Sequence, residues 1–126
     1  MQTIKKTSRI LHFALWAVQI SLSAGLIWAG LTKLFTPAQP LAEMWPWTAA
    51  HPTLVIVTGF ANLISGIGII LPSFFKGKDQ LVTATAIGII ALMLAAAGFH
   101  IIRGEAFQIG VNAAFAALAG FIIWGR

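Results

Sequence analysis

The chain has 126 residues, of which 59% are hydrophobic and only 9% are charged. A soluble domain carries roughly 25% charged residues, so this composition excludes a water-soluble globule and indicates a single integral membrane domain. The absence of cysteine excludes disulfides, thiolate zinc sites and a CxxC electron relay. The formal charge is +5, but the basic residues stand at the ends of apolar runs. That pattern is typical of topology signals and of attraction to anionic lipid, not of nucleic-acid binding.

The first predicted membrane span covers residues 10–35 and follows a short polar tail that contains Lys5, Lys6 and Arg9. A basic start before an apolar run also resembles a secretory signal. The apolar region of such a signal has about 7–15 residues, whereas a helix that crosses a bilayer needs about 20. The length of the run therefore favours a first transmembrane helix.

The first loop, residues 36–51, is rich in proline and tryptophan. Its prolines exclude a long helix. Trp45 and Trp47 are typical of the membrane–water interface, where an apolar ring and a polar N–H are both accommodated. We expect a short amphipathic or re-entrant turn here.

Three more spans are predicted at residues 52–71, 81–102 and 107–124. Pro52 suits the first turn of a helix, and Pro72 closes the end of the second span. The predicted fold is therefore an all-α, integral membrane four-helix bundle with a Trp/Pro-rich interfacial segment between helices 1 and 2.

The distribution of positive charge predicts the orientation of this bundle. Four spans place both termini on one side of the membrane. Six basic residues fall on that side: Lys5, Lys6, Arg9, Lys76, Lys78 and Arg126. Two, Lys33 and Arg103, fall on the other. The positive-inside rule then places both termini in the cytoplasm, and we expect the inner membrane of a bacterium.

Stripes of small residues predict close packing of the helices. Gly59 and Gly66 share one face of the second span, and Asn112, Ala116 and Gly120 share one face of the fourth. Small side chains let helix backbones approach each other in a membrane. Packing alone explains these stripes, so their glycines and alanines indicate no chemistry.

Five polar residues fall within the spans and are the candidates for ligand binding: Gln19, Lys33, Asn62, His100 and Asn112. An unpaired polar group in hydrocarbon costs several kcal/mol, so each must face the bundle interior or a wet cavity. For Gln19 and Asn62, the sequence leaves two interpretations open. One is hydrogen bonding between helices, and the other is the lining of a ligand cavity.

A second set of polar residues is predicted to meet at the non-cytoplasmic mouth of the bundle. It consists of Lys33, Glu43, Arg103 and Glu105, whose charges balance. They either form salt bridges that hold the loops to the bundle or border a pocket. In such a pocket Lys33 or Arg103 binds an anionic or carbonyl group, and His100 donates or relays a proton, for which its ordinary pKa of about 6.5 is suited.

No pattern in the chain indicates a metal site or catalytic machinery. His51 is a lone loop histidine and a poor axial partner for haem, and His12 is expected at the opposite end of the bundle. Carboxylate–histidine metal spacing, a nucleophile–base pair and a Gly-rich phosphate loop do not occur. We therefore expect no metal, no covalently bound cofactor and no self-contained catalytic activity.

The chain resembles the DoxX-like family of small four-helix membrane proteins from about residue 16 to residue 126. The matching segments are residues 29–35, 44–47, 66–72 and 100–105, together with Asn112 and residues 124–126. The resemblance implies a four-helix bundle with cytoplasmic termini. The family is named after a membrane subunit of a thiosulfate:quinone oxidoreductase, and other members are tied to membrane redox or stress complexes.

One departure from the family pattern bears on function. Relatives often carry glutamate where this chain has Asn62, in the sequence Gly59-Phe60-Ala61-Asn62. The substitution removes an ionisable group from the middle of the membrane and speaks against a proton-coupled role.

Three hypotheses remain from the sequence. The first is an accessory membrane subunit, linked to redox chemistry, that binds a quinone or a lipid-like amphiphile. The second is a structural or interaction protein without a ligand. The third is a small transporter, which requires a homo-oligomer because four helices leave little room for a pore. The expected partners are the lipid bilayer and other membrane or redox proteins.

Overall fold

A computed structural model describes residues 2–75, 77–105 and 109–125, and all regular structure in these ranges is helical. The α-helices are α1 (Gln2–Phe35), α2 (Ala38–Met44), α3 (Pro52–Gly68), α4 (Asp79–Ile102) and α5 (Gly110–Gly125). Two short 3-10 helices lie between them: Pro46–Ala49, called here the Trp47 turn, and Leu71–Phe74, called the Pro72 turn.

The helix bounds differ from the predicted ones mainly at their ends. Helix α1 begins at Gln2 because the polar tail continues the helix, and only Arg9–Phe35 is apolar enough to cross a membrane. Helix α3 ends at Gly68, three residues before the predicted end, and the Pro72 turn follows. The start predicted for the last helix, residue 107, lies outside the described residues.

The outer surface of the helices is apolar. Three stretches are long and apolar enough to span a bilayer: Arg9–Phe35, Pro52–Phe74 and Gln80–Ile102. Helix α5 is also apolar but has 16 residues, a rise of about 24 Å. Large hydrophobic side chains point outward all along the helices; Phe13 is 76% exposed and Ile102 is 89% exposed. A surface of this kind is matched to lipid tails and not to water.

Helices α1 and α3 pack closely against each other. A Cβ at Gly30 would lie 2.7 Å from the Gly59 carbonyl oxygen, and one at Gly66 would lie 2.7 Å from Ile27 Cγ1. The close approach predicted from Gly59 and Gly66 is therefore confirmed. The same prediction was wrong for Gly120 on α5, where a Cβ would meet no atom within 4 Å.

The two ends of the bundle are built differently. At one end, called the capped end, α2 and the Trp47 turn lie across the helices and bury Leu41 and Trp47 against Val55 and Phe99. The segment expected as a short interfacial turn takes this form. At the other end, called the terminal end, Trp16 packs on Phe74 of the Pro72 turn with ring centroids 5.3 Å apart. Between the ends runs an apolar core that includes Leu22, Leu26, Ile69, Val82, Ile89 and Ile122.

Candidate functional site

A cavity of about 770 Å³ lies between α1, α3, α4 and α5 beneath the cap. Four of the five residues expected to bind a ligand line it: Lys33, Asn62, His100 and Asn112. The volume is within the range of about 300–1,000 Å³ that is typical of small-molecule sites. Residues that are almost 80 positions apart in the chain thus border one space.

Lys33 projects from the last turn of α1 toward α3. Its Nζ donates to Thr58 Oγ1 at 3.1 Å. With the Asn62 amide turned so that both of its ends are satisfied, the amide oxygen accepts from Lys33 Nζ at 3.1 Å and the amide nitrogen donates to the Thr58 carbonyl at 3.3 Å. Lys33 Nζ also lies 5.9 Å and 5.5 Å from the ring centroids of Trp45 and Trp47, within cation–π range. Its partners among the described residues are thus all uncharged.

The rest of the cavity wall is largely apolar. Phe115 closes it at mid-bundle, where a Cβ at Gly25 would lie 2.9 Å from Phe115 Cζ. Met93 and Phe99 of α4 form one side. The small side chains of Ala95 and Ala96 leave the space between the helices unfilled. The arrangement combines an apolar chamber with a few polar groups toward the capped end, as is usual in sites that bind small molecules.

The end of α4 positions a second polar group, called here the mouth cluster, which consists of His51, His100, Arg103 and Glu105. Gly104 adopts a positive φ of 77°, which glycine tolerates without strain. The Glu105 N–H donates to the His100 carbonyl at 2.7 Å, and the Gly104 N–H donates to the Ile101 carbonyl at 3.0 Å. These two bonds form a Schellman motif, and it turns the chain back so that Glu105 faces His100.

Within the mouth cluster, Glu105 is the shared acceptor. Arg103 Nε donates to Glu105 Oε1 at 2.9 Å, and His100 Nδ1 lies 3.2 Å from the same oxygen. Arg103 Nη1 also lies 3.5 Å from His51 Nε2. The hydrogen bond from Arg103, followed by that from His100, lowers the pKa of Glu105 below its ordinary value.

The charged residues predicted at the mouth do not all meet. Arg103 and Glu105 form an ion pair, whereas Lys33 points into the cavity and bonds to Thr58. Glu43 is exposed on α2 and has no ion pair within the described ranges. Of the four residues in the predicted network, the structure therefore pairs Arg103 with Glu105 and joins neither Lys33 nor Glu43 to them.

Gln19 lies away from the cavity, toward the terminal end. Its side chain is fully buried, and Nε2 donates to the Ile69 carbonyl at 2.7 Å and to Ser73 Oγ at 2.8 Å. Of the two interpretations left open by the sequence, these two contacts correspond to hydrogen bonding between helices. His12 is also at this end, with its ring centroid 6.4 Å from that of Trp16.

Sequence reasoning missed three contributors to the site: Thr58, His51 and the Trp45–Trp47 pair as cavity walls. Thr58 precedes Asn62 by four residues, so helical spacing already placed both on one face. The tryptophans were interpreted as an interfacial belt, and nothing in the local pattern indicated that the cap folds them inward over Lys33. Likewise, no signal in the sequence linked His51 to Arg103, 52 residues later.

Comparison with known proteins identifies one relationship. The model of the DoxX-like family matches residues 17–122, which is most of the chain. No curated protein matches the chain, and no solved structure does.

Proposed function

The chain belongs to the DoxX-like family, and we propose that it is an accessory membrane subunit that binds an amphiphile, a quinone or a lipid-like molecule, in the cavity beneath the cap. The observation that carries this proposal is the convergence of Lys33, Asn62, His100 and Asn112 on one largely apolar chamber. Redox chemistry, in this proposal, is supplied by a partner protein.

The lining chemistry supports an amphiphile over a wholly polar solute. A quinone head group carries carbonyl oxygens that need hydrogen-bond donors, and Lys33, His100 and Asn112 offer them. Its tail needs an apolar path, and Met93, Phe115 and their neighbours provide one. The polar atoms of a water-soluble metabolite would lie against this apolar wall without hydrogen-bond partners.

We further propose that the bundle crosses the membrane four times, with α5 as the fourth span and both termini in the cytoplasm. Helix α5 buries Ala119 and Ile122 in the same core as Leu22 of α1 and Ile89 of α4. Its position beside two helices of spanning length supports a transmembrane placement despite its shorter rise.

Single-cysteine labelling tests this topology, because the chain has no cysteine of its own. Lys78→Cys and Ala50→Cys introduce exposed thiols at opposite ends of the bundle. In intact cells a membrane-impermeant maleimide should label Ala50→Cys and should label Lys78→Cys only after lysis. Labelling of both before lysis, or the reverse order, would contradict the topology.

A quinone titration tests the proposed ligand. Purified protein in lipid nanodiscs should bind a short-chain quinone saturably, read from quenching of tryptophan fluorescence. The variant His100→Ala should bind about tenfold more weakly, because one donor of the site is lost. The control His12→Ala, at the terminal end, should bind like the wild type. Absence of saturable binding, or equal effects of the two variants, would overturn the proposal.

The second candidate is a structural protein whose polar residues only hold helices and loops together. The Gln19 contacts and the Arg103–Glu105 pair favour it. In that case His100→Ala and Lys33→Ala lower the thermal stability and no ligand binds to any variant. Normal folding of both variants with a selective loss of binding would contradict it.

A further inference from the structure

Among the side chains that the structure describes, no carboxylate pairs with the positive charge of Lys33. The chain contains three acidic side chains, Glu43, Asp79 and Glu105. Glu105 is held by Arg103 and His100, and Glu43 is exposed and forms no ion pair with Lys33.

The third, Asp79, is the first residue of α4. It lies about 30 Å along that helix from His100, which borders the same cavity as Lys33. A cation enclosed in an apolar bundle is costly unless an opposite charge or several dipoles compensate it.

The contacts of Lys33 leave room for such a charge. An ammonium group has three N–H donors, and two are taken up by Thr58 Oγ1 and the Asn62 amide oxygen. The third donor has no oxygen acceptor among the described residues; only the Trp45 and Trp47 rings lie within cation–π range of Nζ. It can therefore bond to a molecule in the cavity that Lys33 lines. Asn112 and His100 border the same space and offer further donors to an oxygen anion.

The opening of the cavity indicates the shape of that molecule. Trp28 on α1 and Val111 on α5 both line the cavity and are 56% and 63% exposed. Val57 on α3 also lines the cavity and is 58% exposed. Apolar, exposed side chains of three helices thus border the cavity on the side that faces lipid. A molecule that enters here carries an alkyl chain. A volume of about 770 Å³ accommodates one such chain with its head group.

We propose that the cavity binds a single-chain amphiphile with an anionic oxygen head group, a carboxylate or a phosphate, whose head pairs with Lys33 between Thr58 and Asn62. The chain of the ligand lies against Met93 and Phe115 and extends toward the lipid past the exposed apolar lining residues. This inference rests on the proposed amphiphile-binding function and specifies the charge and the number of chains of the ligand.

A competition experiment on the wild-type protein tests the charge. The full-length chain, in nanodiscs of zwitterionic phosphatidylcholine, is saturated with tritiated palmitate and challenged with unlabelled palmitate, hexadecyl phosphate or methyl palmitate. The two anions should displace the label at concentrations about tenfold lower than the uncharged ester. The stronger of the two anions identifies the head group.

Three variants locate the effect at Lys33. Lys33→Met keeps the length of the side chain and removes its charge, so palmitate binding should weaken about tenfold or more while binding of the ester stays unchanged. Lys33→Arg keeps the charge and should retain most of the affinity for palmitate. Lys78→Met removes an exposed lysine at the terminal end and should have no effect, which controls for general attraction between the protein and anions.

The possible failures are distinguishable. Equal displacement by palmitate and its methyl ester, or unchanged palmitate binding in Lys33→Met, would overturn the anionic head group and leave amphiphile binding standing. No displaceable binding of acid, ester or quinone would overturn both proposals. The ester comparison needs no variant, so it decides the question even if Lys33→Met does not fold.

Discussion

Polar side chains on the same two helices, α1 and α3, behave in opposite ways in the two halves of the bundle. Toward the terminal end, Gln19 and Ser23 donate to the main-chain carbonyls of Ile69 and Gly66 at 2.7 Å each, and both side chains are buried. Toward the capped end, Lys33 and Asn62 bond to each other and border a cavity. A polar residue in a membrane helix thus either bonds to a neighbouring helix or borders a cavity, according to what faces it.

The facing residues on α4 explain the difference. In the terminal half α4 presents Val82 and Ile89, which are completely buried and fill the space between the helices. In the capped half it presents the small Ala95 and Ala96 together with Met93 and Phe99, and all four line the cavity. The cavity thus lies at the level where α4 presents these small side chains.

The largest expected effect comes from Gly30→Ala, which disrupts the close packing of α1 on α3. These two helices carry the polar residues of both halves. The added Cβ would lie 2.7 Å from the Gly59 carbonyl oxygen and 3.0 Å from the Leu63 amide nitrogen. These atoms belong to the backbone and cannot rotate away, so we expect a loss of about 3 kcal/mol in the free energy of unfolding, the upper end for overpacked sites.

Unfolding in sodium dodecyl sulfate measures this loss. Gly88→Ala is the matched control, since a Cβ there meets no atom within 4 Å. It should leave the stability unchanged or raise it slightly through helix propensity. Equal stability of the two variants would mean that the close contact of α1 and α3 is not required.

Gln19→Leu isolates the packing half. The substitution removes the donor to the Ile69 carbonyl and to Ser73 Oγ. We expect the free energy of unfolding to fall by about 1 kcal/mol, the size typical of hydrogen bonds between membrane helices. Binding of palmitate should not change, because Gln19 does not line the cavity. A loss of binding without a loss of stability would reverse the assignment of the two halves.

Asn62→Leu isolates the binding half. The amide oxygen that holds Lys33 Nζ is lost, while Thr58 still accepts from Lys33. We expect palmitate to bind about threefold to tenfold more weakly, in line with one hydrogen bond of about 0.5–1.5 kcal/mol. The melting temperature should change less than in Gln19→Leu. A larger fall in melting temperature than that of Gln19→Leu would place Asn62 with the packing residues.

The smallest effect is expected at the mouth cluster, and it depends on pH. Because Arg103 and His100 lower the pKa of Glu105 in the folded state, the ionised carboxylate stabilises the fold above its unfolded pKa of about 4.3. The contribution is lost as the pH falls through the lower, folded-state pKa. An exposed pair of this kind contributes little in total.

Thermal unfolding of the wild type and Glu105→Gln over a pH series measures this contribution. The wild type should be slightly more stable above about pH 5, and the difference should shrink as the pH falls below the ordinary glutamate pKa of about 4.3. A difference that stays constant across this range would show that the ionisation of Glu105 does not stabilise the mouth cluster.

Prediction from the sequence succeeded where a local pattern carries the information. The apolar stretches, the membrane character and the resemblance to the DoxX-like family are confirmed. The start of α1 at Gln2 was missed because hydropathy detects the lipid-embedded part of a helix and not the helix itself. Gly120 was wrongly assigned to close packing because small residues permit an approach but do not cause one.

By itself, the sequence determined that this protein lies in lipid and that its few polar side chains must turn inward, because hydrocarbon offers them no hydrogen bonds. Only the tertiary structure decided that Lys33 meets Thr58 and two tryptophans, while Arg103 and Glu105 pair elsewhere. The reason is geometric: which side chains meet across a bundle depends on the rotation of each helix and on the path of the cap, and no local periodicity encodes either.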